Sequence, residues 1–68
     1  MHIEDGNFFA FCPQGFELTS TAVSVETGLH FFSVIGGEWI VKINDVKHPI
    51  ATEELNKYFK CLRRDDQT

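Results

Sequence analysis

Two short turns constrain the fold of this chain more than any other feature of its sequence. Gly36-Gly37 and Asn44-Asp45 each separate two runs that are rich in β-branched and aromatic residues. Gly, Asn and Asp tolerate the positive φ that two-residue hairpin turns require, so both segments predict tight β-hairpins. The register that follows pairs Ile35 with Glu38, Val34 with Trp39, Phe32 with Val41, Ile43 with Val46 and Val41 with His48.

This register sorts the side chains of three strands onto two faces of a sheet. The first face is almost wholly apolar and is the predicted core face; it carries His30, Phe32, Val34, Trp39, Val41, Ile43, Val46, His48 and Ile50. The second face carries Leu29, Phe31, Ser33, Ile35, Glu38, Ile40, Lys42 and Lys47. So many apolar side chains are unusual for a solvated surface, and Lys42 directly faces Lys47.

Two explanations account for the apolar second face. In the first, a Phe-rich segment folds over it and forms a small sandwich or partial barrel, because such a segment needs burial. The segment comprises Phe8, Phe9, Phe11 and Phe16. In the second, the face binds a partner or a second copy of the chain. Phe31 beside Lys42 and Lys47 also fits base stacking with phosphate contacts.

The remaining segments complete an α+β fold. Turn residues divide the first part of the chain into strands over about 8–12, 16–25, 29–35, 38–43 and 46–50. Leu55, Tyr58, Phe59 and Leu62 recur at helical spacing, which predicts a helix over about 53–63. We expect one small domain over 1–64, in which an antiparallel meander of four to five strands packs against this C-terminal helix. Residues 65–68 are expected to fray.

The charged residues are distributed unevenly along the chain, which has a net charge of −4. Residues 1–41 contain five acids and no Lys or Arg, whereas all six bases lie in residues 42–64. Counterion release from phosphates requires a basic surface, so this distribution disfavours nonspecific nucleic-acid binding. It favours an acidic surface that meets a basic partner, with Glu17, Glu26 and Glu38 as candidate residues.

No pattern of catalytic, cofactor-binding or metal-binding residues stands out. The histidines (His2, His30 and His48) are not closely paired in sequence, as the ligands of structural zinc sites are. Cys12 and Cys61 are the only two cysteines, fewer than a small secreted scaffold normally carries, which favours free thiols in a reducing compartment, although a disulfide between them stays open as an alternative. We therefore expect no enzymatic activity, no cofactor, no metal and a cytoplasmic location.

These observations favour a small acidic protein that acts by binding a larger protein. Its size and composition are typical of phage and mobile-element inhibitors, and the expected mechanism is occlusion of a basic surface on the partner. The first alternative is a nucleic-acid-binding module that uses Phe31, Lys42 and Lys47. The second is a structural subunit or homodimer that buries Leu29, Phe31 and Ile40.

Overall fold

A computed structural model describes residues 5–65, which form a five-stranded antiparallel sheet, a two-stranded sheet and one short helix. The elements are β1 (Gly6–Cys12), β2 (Phe16–Glu17), β3 (Ser24–Val25), β4 (Gly28–Ile35), β5 (Glu38–Ile43), β6 (Val46–Pro49), α1 (Thr52–Tyr58) and β7 (Lys60–Arg64). The strand order of the large sheet is β6-β5-β4-β1-β7, and β2 pairs with β3. The predicted α+β class is confirmed.

Both predicted hairpins are present with the predicted register. The central residues of each turn have positive φ: 60° and 81° at Gly36 and Gly37, and 51° and 65° at Asn44 and Asp45. All five predicted cross-strand pairs occur, three between β4 and β5 and two between β5 and β6. Turns of this kind follow the right-handed twist of the flanking strands, so short local segments determine the centre of the sheet.

The helix and the small β2–β3 sheet lie on the predicted core face. Six of its nine predicted members are buried: Phe32, Val34, Trp39, Val41, Ile43 and Ile50. His30 and His48 are half-buried. The prediction is wrong for Val46, which is 53% exposed because it begins the edge strand β6, where the sheet has a neighbour on one side only.

The single strand predicted over residues 16–25 is wrong, because the segment folds back on itself between β2 and β3. Leu18 and Val23 close the reversal through a hydrogen bond from the Leu18 N–H to the Val23 carbonyl at 2.9 Å. Thr19 donates from both its N–H and its hydroxyl to the Glu54 carboxylate, at 3.0 and 2.8 Å. Ser20 donates to the Pro49 carbonyl at 2.6 Å. These two long-range contacts hold the reversal against the helix and the end of β6, so the segment does not continue as one strand.

Ala22 in this reversal has a φ of 56°, a conformation that favours glycine. We expect Ala22→Gly to raise the free energy of unfolding by about 0.5–1 kcal/mol, because relief of the Cβ clash exceeds the added entropy of the unfolded chain. Urea denaturation measures the change. Thr21→Gly is the control, since Thr21 is exposed in the same reversal and lies outside the positive-φ region. It should lower stability, and an equal loss in both variants would contradict the argument.

The predicted helix over 53–63 is too long, because it ends at Tyr58 and the chain then forms β7. Leu55 and Phe59 are buried and Tyr58 packs against the core, as the apolar stripe predicts, but Leu62 is 41% exposed. The physical reason is the edge of β1, whose main-chain groups need hydrogen-bond partners. Pairing with β7 supplies these partners. The main-chain hydrogen bonds gained in this way stabilise the chain more than a longer helix would, because a short helix is only marginally stable.

A β-bulge in β7 controls which of its side chains share a face. Phe9 pairs with Arg63 and Phe11 pairs with Lys60, so one residue of β1 lies opposite two of β7. Cys61, within the bulge, has a φ of 58°. On a regular strand two residues three positions apart would point to opposite faces. The bulge instead places Lys60 and Arg63 on the same face.

Candidate functional site

The face of the large sheet opposite the helix is the candidate site, and we call it the outer face. Its members, by strand alternation and pairing, are Asn7, Phe9, Phe11, Leu29, Phe31, Ser33, Ile35, Glu38, Ile40, Lys42, Lys47, Pro49, Lys60 and Arg63. Phe11, Leu29, Phe31 and Ile35 are each about half exposed, at 47–54%. Contiguous apolar exposure of this kind is typical of interaction surfaces, so this face is the candidate site.

The expectation that the Phe-rich segment folds over this face is wrong. The segment forms β1 and the start of β2, and β1 joins the same sheet as the neighbour of β4. Strand alternation then sends Phe8 into the core, where its ring lies 5.0 Å from Trp39. Phe9 and Phe11 point the other way and enlarge the outer face. Phe16 packs against the core from the helix side, with its ring stacked on Tyr58 at 3.9 Å.

One line of directly paired side chains crosses all five strands on the outer face, and we call it the basic–aromatic row. In order across the sheet it contains Arg63, Phe9, Phe31, Lys42 and Lys47. The rings of Phe9 and Phe31 lie 6.4 Å apart at an interplanar angle of 54°. With about 4.8 Å between neighbouring strands, the row spans roughly 19 Å. A parallel row of Lys60, Phe11 and Leu29 lies beside it.

The outer face is locally basic although the chain is acidic. Four of the six basic residues lie on it, whereas Lys57 and Arg64 contact the rings of Tyr58 and Phe8 elsewhere. Lys42 has an exposed ion pair with Asp45 at 3.7 Å, an interaction that contributes little in water. Of the acids near this face, Glu38 lies beyond the basic–aromatic row, whereas Asp65 lines one surface depression with Phe31, Lys42 and Lys47.

The predicted site residues therefore fall into two groups. Leu29, Phe31, Ile40, Lys42 and Lys47 lie together on the outer face, with Ile40 half-buried between Ser33 and Pro49. The predicted acidic surface is spread over separate elements. Glu17 lies on β2, Glu26 follows β3 and Glu38 begins β5.

Sequence reasoning missed six residues of the outer face: Asn7, Phe9, Phe11, Pro49, Lys60 and Arg63. Phe9 and Phe11 are identifiable as one side of a strand from the alternation in β1, but alternation does not reveal which strand is the neighbour. Lys60 and Arg63 were hidden by the predicted helix, because in a helix they have no fixed relation to the sheet. Their placement depends on the bulge in β7.

The two thiols are free and differ in exposure. Cys61 is exposed, whereas Cys12 is buried and donates from Sγ to the Gln14 carbonyl at 3.2 Å. Burial raises the pKa of the Cys12 thiol above its ordinary value.

Within residues 5–65 no three His, Cys, Asp or Glu side chains are arranged to hold a metal ion. His2 lies outside the described residues. In the same part of the chain no helix has the length and apolarity needed to cross a membrane. Compared with protein-family models, with curated proteins and with solved structures, the chain gives no match.

Proposed function

We propose that the outer face binds single-stranded nucleic acid, and that the chain acts as a small non-catalytic binding module. The observation that carries the proposal is the basic–aromatic row. The 49% exposed ring of Phe31 and the half-buried ring of Phe9 lie between a cation on one side and two cations on the other. Sequence-tolerant single-strand binding combines these two features, aromatic rings for the bases and positive charge for the backbone.

Each member of the row has a defined part in this proposal. Bases stack on Phe9 and Phe31, which present sequence-independent apolar surfaces. Lys42 and Lys47 face each other directly, an unfavourable arrangement of like charges that the exposed Lys42–Asp45 ion pair at 3.7 Å offsets only weakly. A phosphate would relieve this repulsion, and Arg63 would contact the backbone at the other end of the row.

The geometry favours a single strand over a duplex. In a duplex the base faces are stacked on one another, and only base edges are accessible in the grooves. The outer face presents aromatic rings on the face of a five-stranded sheet, and its basic–aromatic row contains no helix that could enter a groove. Unpaired bases can stack on the two rings, so the favoured ligand is a single strand.

The uneven charge distribution along the chain is compatible with nucleic-acid binding, because the fold brings residues 1–41, which contain no base, together with residues 42–64, which contain all six. β1 comes from the part without bases, yet it lies between β4 and β7. Phe9 is thereby placed directly beside Arg63, a base from the other part. What matters for phosphate binding is the charge of the contact surface, and on the outer face that charge is positive.

The two protein-binding hypotheses stay predictions with weaker support. Occlusion of a basic partner would use Glu17, Glu26 and Glu38, which lie on separate elements. A homodimer through the outer face would bring four cations of one copy against four of the other, which opposes association. Light scattering distinguishes the dimer, since our proposal expects a monomer of about 7.8 kDa.

The test is binding of a fluorescein-labelled 12-nucleotide uridine or thymidine tract, measured by anisotropy at low salt. We expect Phe31→Ala to weaken binding by about 5- to 150-fold, the range that loss of one stacked base produces. Ile35→Ala is the matched control, because Ile35 is equally exposed on the same strand and face but lies off the row. It should bind the tract like the wild type.

Three outcomes of this experiment would overturn the proposal. The first is equal affinity for the tract and for a 12-base-pair duplex. The second is equal weakening by Phe31→Ala and Ile35→Ala, which would indicate a general apolar surface. The third is no binding of either tract by a correctly folded protein, as judged by circular dichroism.

A further inference from the structure

The large sheet opens at one end of the basic–aromatic row. The last pair between β4 and β5 is Phe31 with Lys42, while β4 continues back to Gly28 paired with β1 alone. A cleft of about 540 Å³ occupies this opening. Phe31 and Lys42 belong both to the row and to the wall of the cleft. A strand stacked along the row would therefore reach the mouth of the cleft.

The polar wall of the cleft has free hydrogen-bonding capacity. Ser24, Glu26 and Asn44 line it, all three are exposed, and within residues 5–65 none of their side chains makes a hydrogen bond or ion pair. His30 donates from Nε2 to the main-chain carbonyl of Glu26 at 2.7 Å. This bond links the turn that bears Glu26 to β4.

The chemistry of the wall distinguishes between the parts of a nucleotide. One acid, Glu26, and one base, Lys42, line the cleft, so it has no excess positive charge to favour a phosphate. The Glu26 carboxylate accepts hydrogen bonds from neutral donors, and two parallel bonds to one carboxylate give both strength and geometric selectivity. The volume is within the range of sites for small organic groups, so a nucleobase fits.

We infer that this cleft receives one unstacked base of the bound strand and selects guanine, an inference that rests on the proposed function. Guanine is the base whose Watson–Crick edge presents two adjacent donors, N1–H and the N2 amino group, to the two oxygens of Glu26. Single-stranded bases are read along this edge when they leave the stack. Asn44 and Ser24 supply further polar contacts to the same base, and Phe31 supports the neighbouring one.

The test compares uridine 12-mers that carry one central guanine, adenine or cytosine with the all-uridine 12-mer, by anisotropy under identical salt. We expect the guanine 12-mer to bind wild-type protein about tenfold more tightly than the others. Glu26→Ala should reduce this ratio to about one. Glu17→Ala is the matched control, because it removes an equally exposed acid that does not line the cleft. It should leave the ratio at its wild-type value.

The outcomes separate failure of this inference from failure of the proposed function. If the wild type binds the all-uridine 12-mer and Phe31→Ala weakens it, the outer face binds nucleic acid. If the affinity for the guanine 12-mer then equals that for the all-uridine 12-mer, or if Glu26→Ala leaves the ratio of the two affinities unchanged, the inference about the cleft is wrong and the proposed function still stands. If the wild type binds none of the 12-mers, the proposed function fails and the cleft inference fails with it.

Discussion

Phe59→Ala is expected to remove about 3–5 kcal/mol from the free energy of unfolding, the largest effect of any single substitution considered for this chain. The Phe59 ring is 5% exposed and meets Phe32 at 4.9 Å and Phe16 at 5.6 Å between centroids. It also meets His30 at 5.8 Å, so it joins the helix, the β2–β3 sheet and the large sheet. Its loss leaves a cavity where these three elements meet.

The consequence is severe because the whole domain is small. At about 0.05–0.15 kcal/mol per residue, a chain of 68 residues has a total stability of roughly 3–10 kcal/mol. Urea denaturation followed by circular dichroism measures the change. Phe11→Ala is the matched control, since it deletes the same atoms from a ring that is 47% exposed on the outer face. Comparable destabilisation by the two variants would mean that Phe59 does not have the central position described here.

Reversing both charges with Lys42→Glu and Lys47→Glu is expected to weaken tract binding by more than about 100-fold at 50 mM salt. Two phosphate contacts are lost and two repulsive ones replace them. Because the two side chains face each other, the variant exchanges one like-charge pair for another, and it also replaces the weak exposed Lys42–Asp45 ion pair with two neighbouring acids. Anisotropy measures the affinity, and circular dichroism verifies the fold.

The salt dependence of the binding constant, together with a matched charge reversal outside the row, tests whether the row itself contacts the phosphates. Four cations on the outer face predict a slope of about −2.8 for the logarithm of the binding constant against the logarithm of salt concentration, at ~0.7 per phosphate contact. Lys47→Glu and Lys57→Glu change the net charge equally, but Lys57 lies on the helix over the Tyr58 ring. Equal weakening by these two single variants would show that net charge, not the row, determines binding.

The parts of the fold that could be predicted from sequence are those determined by neighbours along the chain. The turns at 36–37 and 44–45 require positive φ at adjacent residues, and Gly, Asn and Asp meet that requirement locally. The register, and with it the position of Phe31 opposite Lys42, follows from turn length alone. The core face was predictable because one face of three successive strands is apolar.

The parts that could not be predicted depend on partners distant in sequence. The apolar stripe from Leu55 correctly predicts a helix, but it cannot indicate that the free edge of β1 takes residues 60–64 into the sheet. Likewise, the reversal at Leu18 is held by Glu54 and Pro49, far along the chain. The candidate site could accordingly be predicted only in part. Local hairpins determine the positions of Phe31, Lys42 and Lys47, whereas long-range strand pairing determines those of Phe9 and Arg63.

The position of β1 also has a consequence for the order of folding. β4, β5 and β6 are joined by two-residue turns and can pair as soon as they exist, because their loops are short. β1 is the first strand of the chain, but its neighbours β4 and β7 both come later, and β7 ends at Arg64. A ribosome-bound chain that has not yet released residues 60–64 therefore has an incomplete sheet. The surface that would hold a ligand is assembled last, from two strands, β1 and β7, that lie far apart in the sequence.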